Sequence, residues 1–157
     1  MAYWRSMSNN DIPAVTYVAD KIHSNLPESP SVFEERVKLF PEGCLVLATE
    51  RQEIGGYIIL HPIRQRSPPA LDTLLGEIPQ DADQYYIHDL AILPKFQGRG
   101  FAAEGVREIL EVSNSYSTTS LVSVYGTSPF WGRFGFEVRP VEARMSAKIR
   151  GYGDDAI

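Results

Sequence analysis

Three short stretches of this chain carry residues whose types and spacing could do chemistry. The first is Pro94-Lys95-Phe96-Gln97-Gly98-Arg99-Gly100-Phe101-Ala102-Ala103, between the apolar strand-like run Leu90-Ala91-Ile92-Leu93 and a helix-like segment. A strand that ends in a basic, glycine-containing turn and feeds a helix leaves backbone N–H groups unpaired where the helix dipole is positive, a ready site for a phosphate or pyrophosphate. Gly98 and Gly100 carry no side chain and permit close backbone approach. The pattern Gly98-x-Gly100-x-x-Ala103 also fits a dinucleotide fingerprint, which requires an acidic residue roughly 20 positions further on. No Asp or Glu occurs from Val112 to Gly135, and only one plausible βαβ unit surrounds the glycines. A glycine-softened turn with no ligand is the plain alternative.

The second stretch is Tyr86-Ile87-His88-Asp89-Leu90-Ala91-Ile92. Strand alternation predicts Tyr86, His88, Leu90 and Ile92 on one face and Asp89 on the other, where Asp89 would be structural. A lone strand histidine is more often a hydrogen-bonding scaffold residue than a catalyst, and both readings stand on spacing alone. The third stretch, Pro129-Phe130-Trp131-Gly132-Arg133-Phe134-Gly135-Phe136, reads as a short aromatic helix plugged into the core by Phe130, Phe134 and Phe136.

The spacing Gln97-x-x-Gly100-x-Ala102 resembles the pyrophosphate-binding motif of the GNAT superfamily of N-acetyltransferases, (Gln/Arg)-x-x-Gly-x-(Gly/Ala). The resemblance implies acetyl-CoA as co-substrate, no metal, and cofactor contacts from Leu90, Ala91, Ile92, Gln97, Gly98, Arg99, Gly100, Phe101, Ala102 and Ala103. It also implies an α/β (α+β) fold with a mixed, mostly antiparallel, splayed sheet flanked by about four helices. Within the superfamily the aromatic segment is similar to that of the serotonin (arylalkylamine) N-acetyltransferases, Pro-Phe-Tyr-x-Arg-Phe-Gly-Phe. The likeness continues through Leu39-Phe40-Pro41-Glu42 and the element order. Those enzymes carry histidines at the places of Tyr86 and His88, where they are thought to move protons from the amine site through water. This chain departs from the pattern at Trp131, where the family has a tyrosine beside the thioester, and at Val124, where many members have an asparagine.

What the resemblance implies can be tested against elementary chemistry. An alkyl amine with a pKa of about 10.4 is an ammonium at neutral pH and cannot attack a thioester. A histidine with a pKa near about 6.5 is suited to take or relay its proton, and His88 with Tyr86 is the candidate. Backbone N–H groups of Leu90-Ala91-Ile92 would polarise the acetyl carbonyl. An indole N–H donates a hydrogen bond but no proton, so Trp131 would line the thioester pocket while water or Tyr125 protonates the departing thiolate. The expected activity is acetylation of a small primary amine, an arylalkylamine or a polyamine. Acetylation of a protein or peptide amine, and a CoA-binding module without turnover, are the alternatives.

Composition fits that expectation without specifying it. The 157 residues, 43% of them hydrophobic, suffice for one domain, here residues 1–157, and are too few for two. A net charge of −5 argues against nucleic acid as a partner. The single cysteine, Cys44, implies neither a disulfide nor a zinc site. No apolar run reaches the roughly 18 residues of a membrane span, and the N-terminus is not a signal peptide, so a soluble cytoplasmic protein is expected. Oligomeric state has no signature here.

The elements expected to position these residues follow the order β-α-α-β-β-loop-β-α-β-α-β-β. Tyr3 to Met7 reads as a strand, Asp11 to His23 as a helix capped by Asn10, and Ser31 with Glu34 as the capping box of a second helix. Leu45–Ala48 and Tyr57–Leu60 read as a hairpin around Arg51-Gln52-Glu53. A helix over 100–112 with Phe101, Val106, Ile109 and Leu110 as its inward apolar stripe, a strand over Leu121–Val124 and a short helix from Ser128-Pro129 to Gly135 follow. His61 to Gln84, with Pro62, Pro68, Pro69 and Pro79, reads as a long connection, either a wall of the substrate site or a surface excursion, with Leu71 to Leu75 a short helix within it.

Overall fold

Two apolar runs too long to leave in water organise the chain. Cys44–Thr49 and Ile54–Ile63 pair as antiparallel strands, and every residue of the longer one is buried, so helices must cover both of its faces. The computed structural model describes residues 2–24, 28–64, 68–70, 72–112, 118–122, 128–137 and 149. Within them a five-stranded sheet runs in chain order: β1 (Ala2–Ser6), β2 (Cys44–Thr49), β3 (Ile54–Ile63), β4 (Gln84–Ile92) and β5 (Thr119–Leu121). The first four are antiparallel, and β5 lies parallel to β4. This is the mixed, mostly antiparallel sheet with four helices that the sequence implied.

Each face of the sheet has its own core. Helices α1 (Ile12–Ile22) and α2 (Pro30–Leu39) bring Val15, Val18 and Phe33 against Val46, Tyr57 and Ile59. On the other face α3 (Phe101–Val112) and α4 (Ser128–Gly132) bring Val106, Ile109 and Trp131 against Leu47, Ile58, Leu60 and Ile92. The apolar stripe expected on α3 is therefore the stripe it buries, with Phe101 and Leu110 partly covered at its margin.

Several boundaries differ from expectation for identifiable reasons. A 3-10 turn over Asn9–Asp11 precedes α1, so Asn10 sits inside the turn and does not cap the helix. Asp11 instead receives the Ser8 amide at 2.9 Å and both guanidinium branches of Arg5 at 2.8 and 2.9 Å. Helix α2 starts one residue before the Ser31–Glu34 box, because Pro30 is preset for the first helical position and Ser29 takes the extended cap conformation. Strand β3 continues through His61, Pro62 and Ile63, which were expected to be loop. Residues 72–75 are not helical: Asp72 has φ +55, which no right-handed helix continues, and Leu71 lies outside the described residues. The strand expected over Leu121–Val124 lies earlier, at Thr119–Leu121, with Val124 outside the described residues; of the stretch after Gly135, where two final strands were expected, Phe136 and Glu137 are described and are not strand, and residues 138–148 lie outside the described residues. Among the described residues no helix is long and apolar enough to cross a membrane, and no group of three His, Cys, Asp or Glu is placed to hold a metal ion.

The anchor between α3 and the sheet is Trp4, whose indole N–H donates to the Phe101 carbonyl at 3.0 Å. A Cβ on Gly105 would stand 2.6 Å from that indole ring. Gly105→Ala gains about 1 kcal/mol of helix propensity but overpacks a rigid ring, which typically costs about 1–3 kcal/mol. We expect net destabilisation, read as a lower denaturant midpoint with an unchanged slope.

Candidate functional site

The central feature of the site is one extra residue in β4. Ile59 pairs with Asp89 but Leu60 pairs with Ile87, so His88 is a bulge that no β3 residue opposes. The bulge overturns the expected alternation. His88 and Asp89 both meet groups on the α1/α2 side of the sheet, whereas Leu90 and Ile92 join the α3/α4 core. Asp89 is not set apart on the opposite face but stands beside His88.

Each of these neighbours pairs with a group distant in sequence. His88 Nε2 lies 2.8 Å from Glu28 Oε1, with the His88 side chain fully buried and that of Glu28 5% exposed. His23, just past the end of α1, places Nε2 2.8 Å from Asp89 Oδ1, and Tyr57 donates its hydroxyl to Asp89 Oδ2. Burial opposes charge on His23, but the Asp89 carboxylate outweighs it and raises the imidazole above its ordinary value. Burial likewise opposes ionisation of Asp89, yet His23 and the Tyr57 hydrogen bond hold its carboxyl below the usual range. Tyr57, desolvated beside that carboxylate, is pushed well up and remains a hydroxyl donor. Burial takes the Cys44 thiol up to about 12, which leaves no thiolate to carry an acyl group.

The segment around Asp72 braces Glu28 without lining the cleft. The Asp72 amide donates to Glu28 Oε2 at 3.0 Å, and its carboxylate accepts the Ser29 amide at 2.7 Å. Glu35 of α2 accepts the amides of Leu75 and Gly76, while the buried Arg36 reaches the Thr73 carbonyl at 3.2 Å. Glu28 is thus held from behind by backbone, which leaves its other oxygen for His88.

Beyond Ile87 the described β4–β5 ladder ends, its three pairs being Tyr85–Thr119, Tyr86–Ser120 and Ile87–Leu121. Alternate N–H groups of the continuing strand point away from β3. Here a cleft of about 630 Å³ opens. One end holds His23, Glu28, His88 and Asp89; Leu90, Ala91 and Ile92 form its floor; Phe130, Trp131 and Arg133 form a side. The other end is the glycine turn, lined by Gln97, Gly98, Gly100, Phe101, Ala102 and Ala103. Gln97 donates its side-chain amide to the Ile92 carbonyl at 2.8 Å and so ties the turn to β4. Gly98 and Gly100 have φ +75 and +81, and a Cβ on either would meet no protein atom, leaving the approach open. The first bond of α3 runs from the Glu104 amide to the Gly100 carbonyl at 3.1 Å, so the amides before it head the helix unpaired. The open glycines and the amides at the head of α3 are what a pyrophosphate needs.

Most of the residues singled out from the sequence therefore line one cleft. Arg99 is exposed and Tyr86 does not line it; Tyr86 instead packs its ring 5.6 Å from His61 and 6.1 Å from His88. Tyr125 lies outside the described residues. Trp131 lines the cleft and is also a core anchor, edge-on to Phe130 at 5.0 Å and Phe136 at 5.7 Å. His23 and Glu28 were missed, and no local pattern could have found them: they meet partners 66 and 60 residues away.

The model of the acetyltransferase (GNAT) family matches residues 10–136. No curated protein matches the sequence at a significant level. Among solved structures, Ard1 from Thermoplasma volcanium is similar over 92% of this chain and 91% of its own, with TM-score 0.68 and 14% identity. An acetyltransferase from Trypanosoma brucei covers 90% and 96%, with TM-score 0.63 and 16% identity. GphF, a GNAT-like decarboxylase in complex with isobutyryl-CoA, covers 86% and 72%, with TM-score 0.68 and 19% identity.

The His23–Asp89 pair gives stability a dependence on pH. His23 is raised by folding, so its contribution is complete below its unfolded value of about 6.5 and is lost as pH rises through the folded value. Asp89 is lowered, so its contribution holds above its unfolded value and fades in acid. Urea unfolding from about pH 5 to about pH 9 should show wild-type stability declining on the alkaline side more steeply than that of His23→Gln. Parallel curves would mean that His23 does not titrate differently in the folded state.

Proposed function

We propose that this chain, which belongs to the acetyltransferase (GNAT) family, transfers an acetyl group from acetyl-CoA to a small primary amine, an arylalkylamine or a polyamine. The observation that carries the reading is the pairing of both imidazoles with carboxylates at one end of the cleft whose other end is the glycine turn. An ammonium is drawn to carboxylates and must lose a proton there before its nitrogen can attack. The likeness of Pro129–Phe136 and of the β4 histidine to serotonin N-acetyltransferases favours an arylalkylamine.

In this mechanism the amides heading α3 hold the pyrophosphate, with Gln97 keeping the turn at the end of β4. The stretch Leu90–Ile92 of β4, which lines the cleft, aligns the pantetheine arm and offers N–H groups to the carbonyl oxygen as charge develops on it. His88, with Glu28, takes the proton released by the ammonium, a contribution typically of about 10²–10⁴-fold. Trp131 packs beside the thioester and Tyr125 or water protonates the thiolate, whose pKa near about 8.5 makes it a tolerable leaving group without a strong acid. Cys44, buried in the α1/α2 core with its thiol protonated, takes no part, so transfer is direct.

Free-thiol release from acetyl-CoA against a panel of arylalkylamines, polyamines and peptide N-termini tests the acceptor. Turnover confined to peptides would replace the small-amine reading, and CoA binding without turnover on any amine would replace the enzyme. Gly100→Val tests the cradle: left-handed backbone costs a branched residue on the order of 1–2 kcal/mol, small beside a domain stability of about 5–15 kcal/mol. The variant should stay folded while CoA affinity, measured by calorimetry, drops at least about tenfold.

Trp131 separates a site role from a core role. Trp131→Tyr should keep or raise turnover, because a phenol fits the aromatic cluster and adds a proton donor. Trp131→Phe should slow turnover within about tenfold, a loss of about 1.4 kcal/mol. A Trp131→Phe variant that is silent kinetically but less stable would make the indole a core anchor only.

A further inference from the structure

Asp72 is exposed and does not line the cleft, yet it holds a backbone conformation that residues with a side chain rarely adopt, with φ +55. Among the described residues one other non-glycine has positive φ, Gln52, in the tight turn between β2 and β3. Such a conformation persists where the surroundings fix it from both sides. On one side stand Glu28 and Ser29. The Asp72 amide donates to Glu28 Oε2 at 3.0 Å, and the Ser29 amide donates back to Asp72 Oδ1 at 2.7 Å. On the other side stands α2, where Arg36 donates to the Thr73 carbonyl at 3.2 Å and Glu35 accepts the amides of Leu75 and Gly76. With φ negative the chain after Asp72 would leave in another direction, and its amide could not face Glu28 while residues 73–76 stay fastened to α2.

We propose that Asp72 is a positioning residue that sets the Glu28 carboxylate against His88. Among the described residues that carboxylate has two partners, His88 Nε2 on Oε1 at 2.8 Å and the Asp72 amide on Oε2. The terminal torsion of a glutamate has a broad preference of its own, so one partner leaves the carboxylate free to turn and two fix its plane. The bond from Ser29 holds the backbone next to Glu28, and the two bonds form a reciprocal clasp between segments 44 and 43 positions apart. An aspartate suits this place because its short side chain tolerates left-handed backbone and accepts a nearby amide. Its charge strengthens the bond it accepts.

The clasp has a signature that turnover does not enter. An ionised carboxylate only accepts, so the hydrogen between this pair sits on His88 Nε2. The His88 side chain is fully buried, which shields that hydrogen from solvent while Glu28 stays in place. The hydrogen between His23 and Asp89 is the internal reference, because Tyr57 holds Asp89 from its other oxygen.

Two substitutions test the clasp without opening the core, since Asp72 is exposed. Asp72→Gly keeps the left-handed backbone and the amide and removes the acceptor for Ser29. Asp72→Asn tolerates the same backbone and keeps an acceptor of the same shape. In ¹⁵N-histidine NMR of the intact protein, the His88 ring hydrogen is assigned by its absence in His88→Gln. Asp72→Gly should lose the slow solvent exchange of that hydrogen while the His23 signal stays as in the wild type, and Asp72→Asn should restore most of the protection. In turnover, which rests on the reading of His88 with Glu28 as proton acceptor, kcat of Asp72→Gly should fall about ten- to a hundredfold, as misplaced groups typically cost. Its CoA affinity by calorimetry should not change, and Asp72→Asn should recover most of kcat. A folded Asp72→Gly variant that keeps the protected His88 hydrogen overturns the inference, whatever the amine assay gives. An Asp72→Asn variant no better than Asp72→Gly overturns it too, by making charge and not the hydrogen bond the contribution of Asp72. Failure of every amine together with the expected exchange pattern would count against the acetylation reading alone.

Discussion

One extra residue in an otherwise regular strand is the constraint on which this site depends. Without the bulge at His88, period-two alternation would send Asp89 into the α3/α4 core, where an ionised carboxylate has no partner. With it, two adjacent polar residues emerge on one side and Leu90 returns to the apolar side. Past the bulge, Leu90, Ala91 and Ile92 line the cleft, so the strand that carries the polar pair also floors it. A bulge of this kind re-aims side chains while both cores stay packed.

The polar groups so assembled sit in a place that would normally reject charge. Taking a carboxylate out of water is expensive unless it is paired and its remaining lone pairs are used. Asp89 meets both conditions through His23 and Tyr57, and Glu28 through His88 and the Asp72 amide. The proline-rich connection braces Glu28 from outside the cleft lining: the Asp72 backbone supplies a donor that a side chain would have to provide at greater entropic cost. Its attachment to Glu35 and Arg36 makes α2 the support of the Glu28–His88 end, although α2 contributes no residue to the cleft lining.

The two ends of the cleft work by different physics. At the turn, the lining comes from backbone: amides heading α3, two glycines in left-handed conformations, and a glutamine side chain that ties the loop to β4. At the other end it comes from side chains with paired charges whose separation in sequence is large. The first kind of site tolerates variation in the surrounding residues; the second depends on four elements keeping their registers to within a hydrogen-bond length.

That difference also divides what could be read from the chain alone. The glycine turn was legible because its parts are contiguous: strand, turn and helix start follow one another, and the required residues lie within Gln97–Ala103. The hairpin, the apolar stripes of the helices and the aromatic segment around Trp131 were legible for the same reason, since periodicity is a local property. The start of α2 was misplaced by one residue because two local signals, Pro30 and the Ser31–Glu34 box, competed. What no local pattern contains is a register. The bulge exists only as a mismatch between β3 and β4, and it alone decided that His88 and Asp89 share a side. His23 and Glu28 became site residues because α1 and the connection after it end over that bulge, a juxtaposition of segments 60 and more positions apart. The sequence by itself determined the family, the fold and the glycine-turn end of the cleft, whose geometry a single stretch of backbone dictates. Tertiary structure decided the end that holds His88 and Asp89, because charge pairing there is a property of packed distances and not of spacing along the chain.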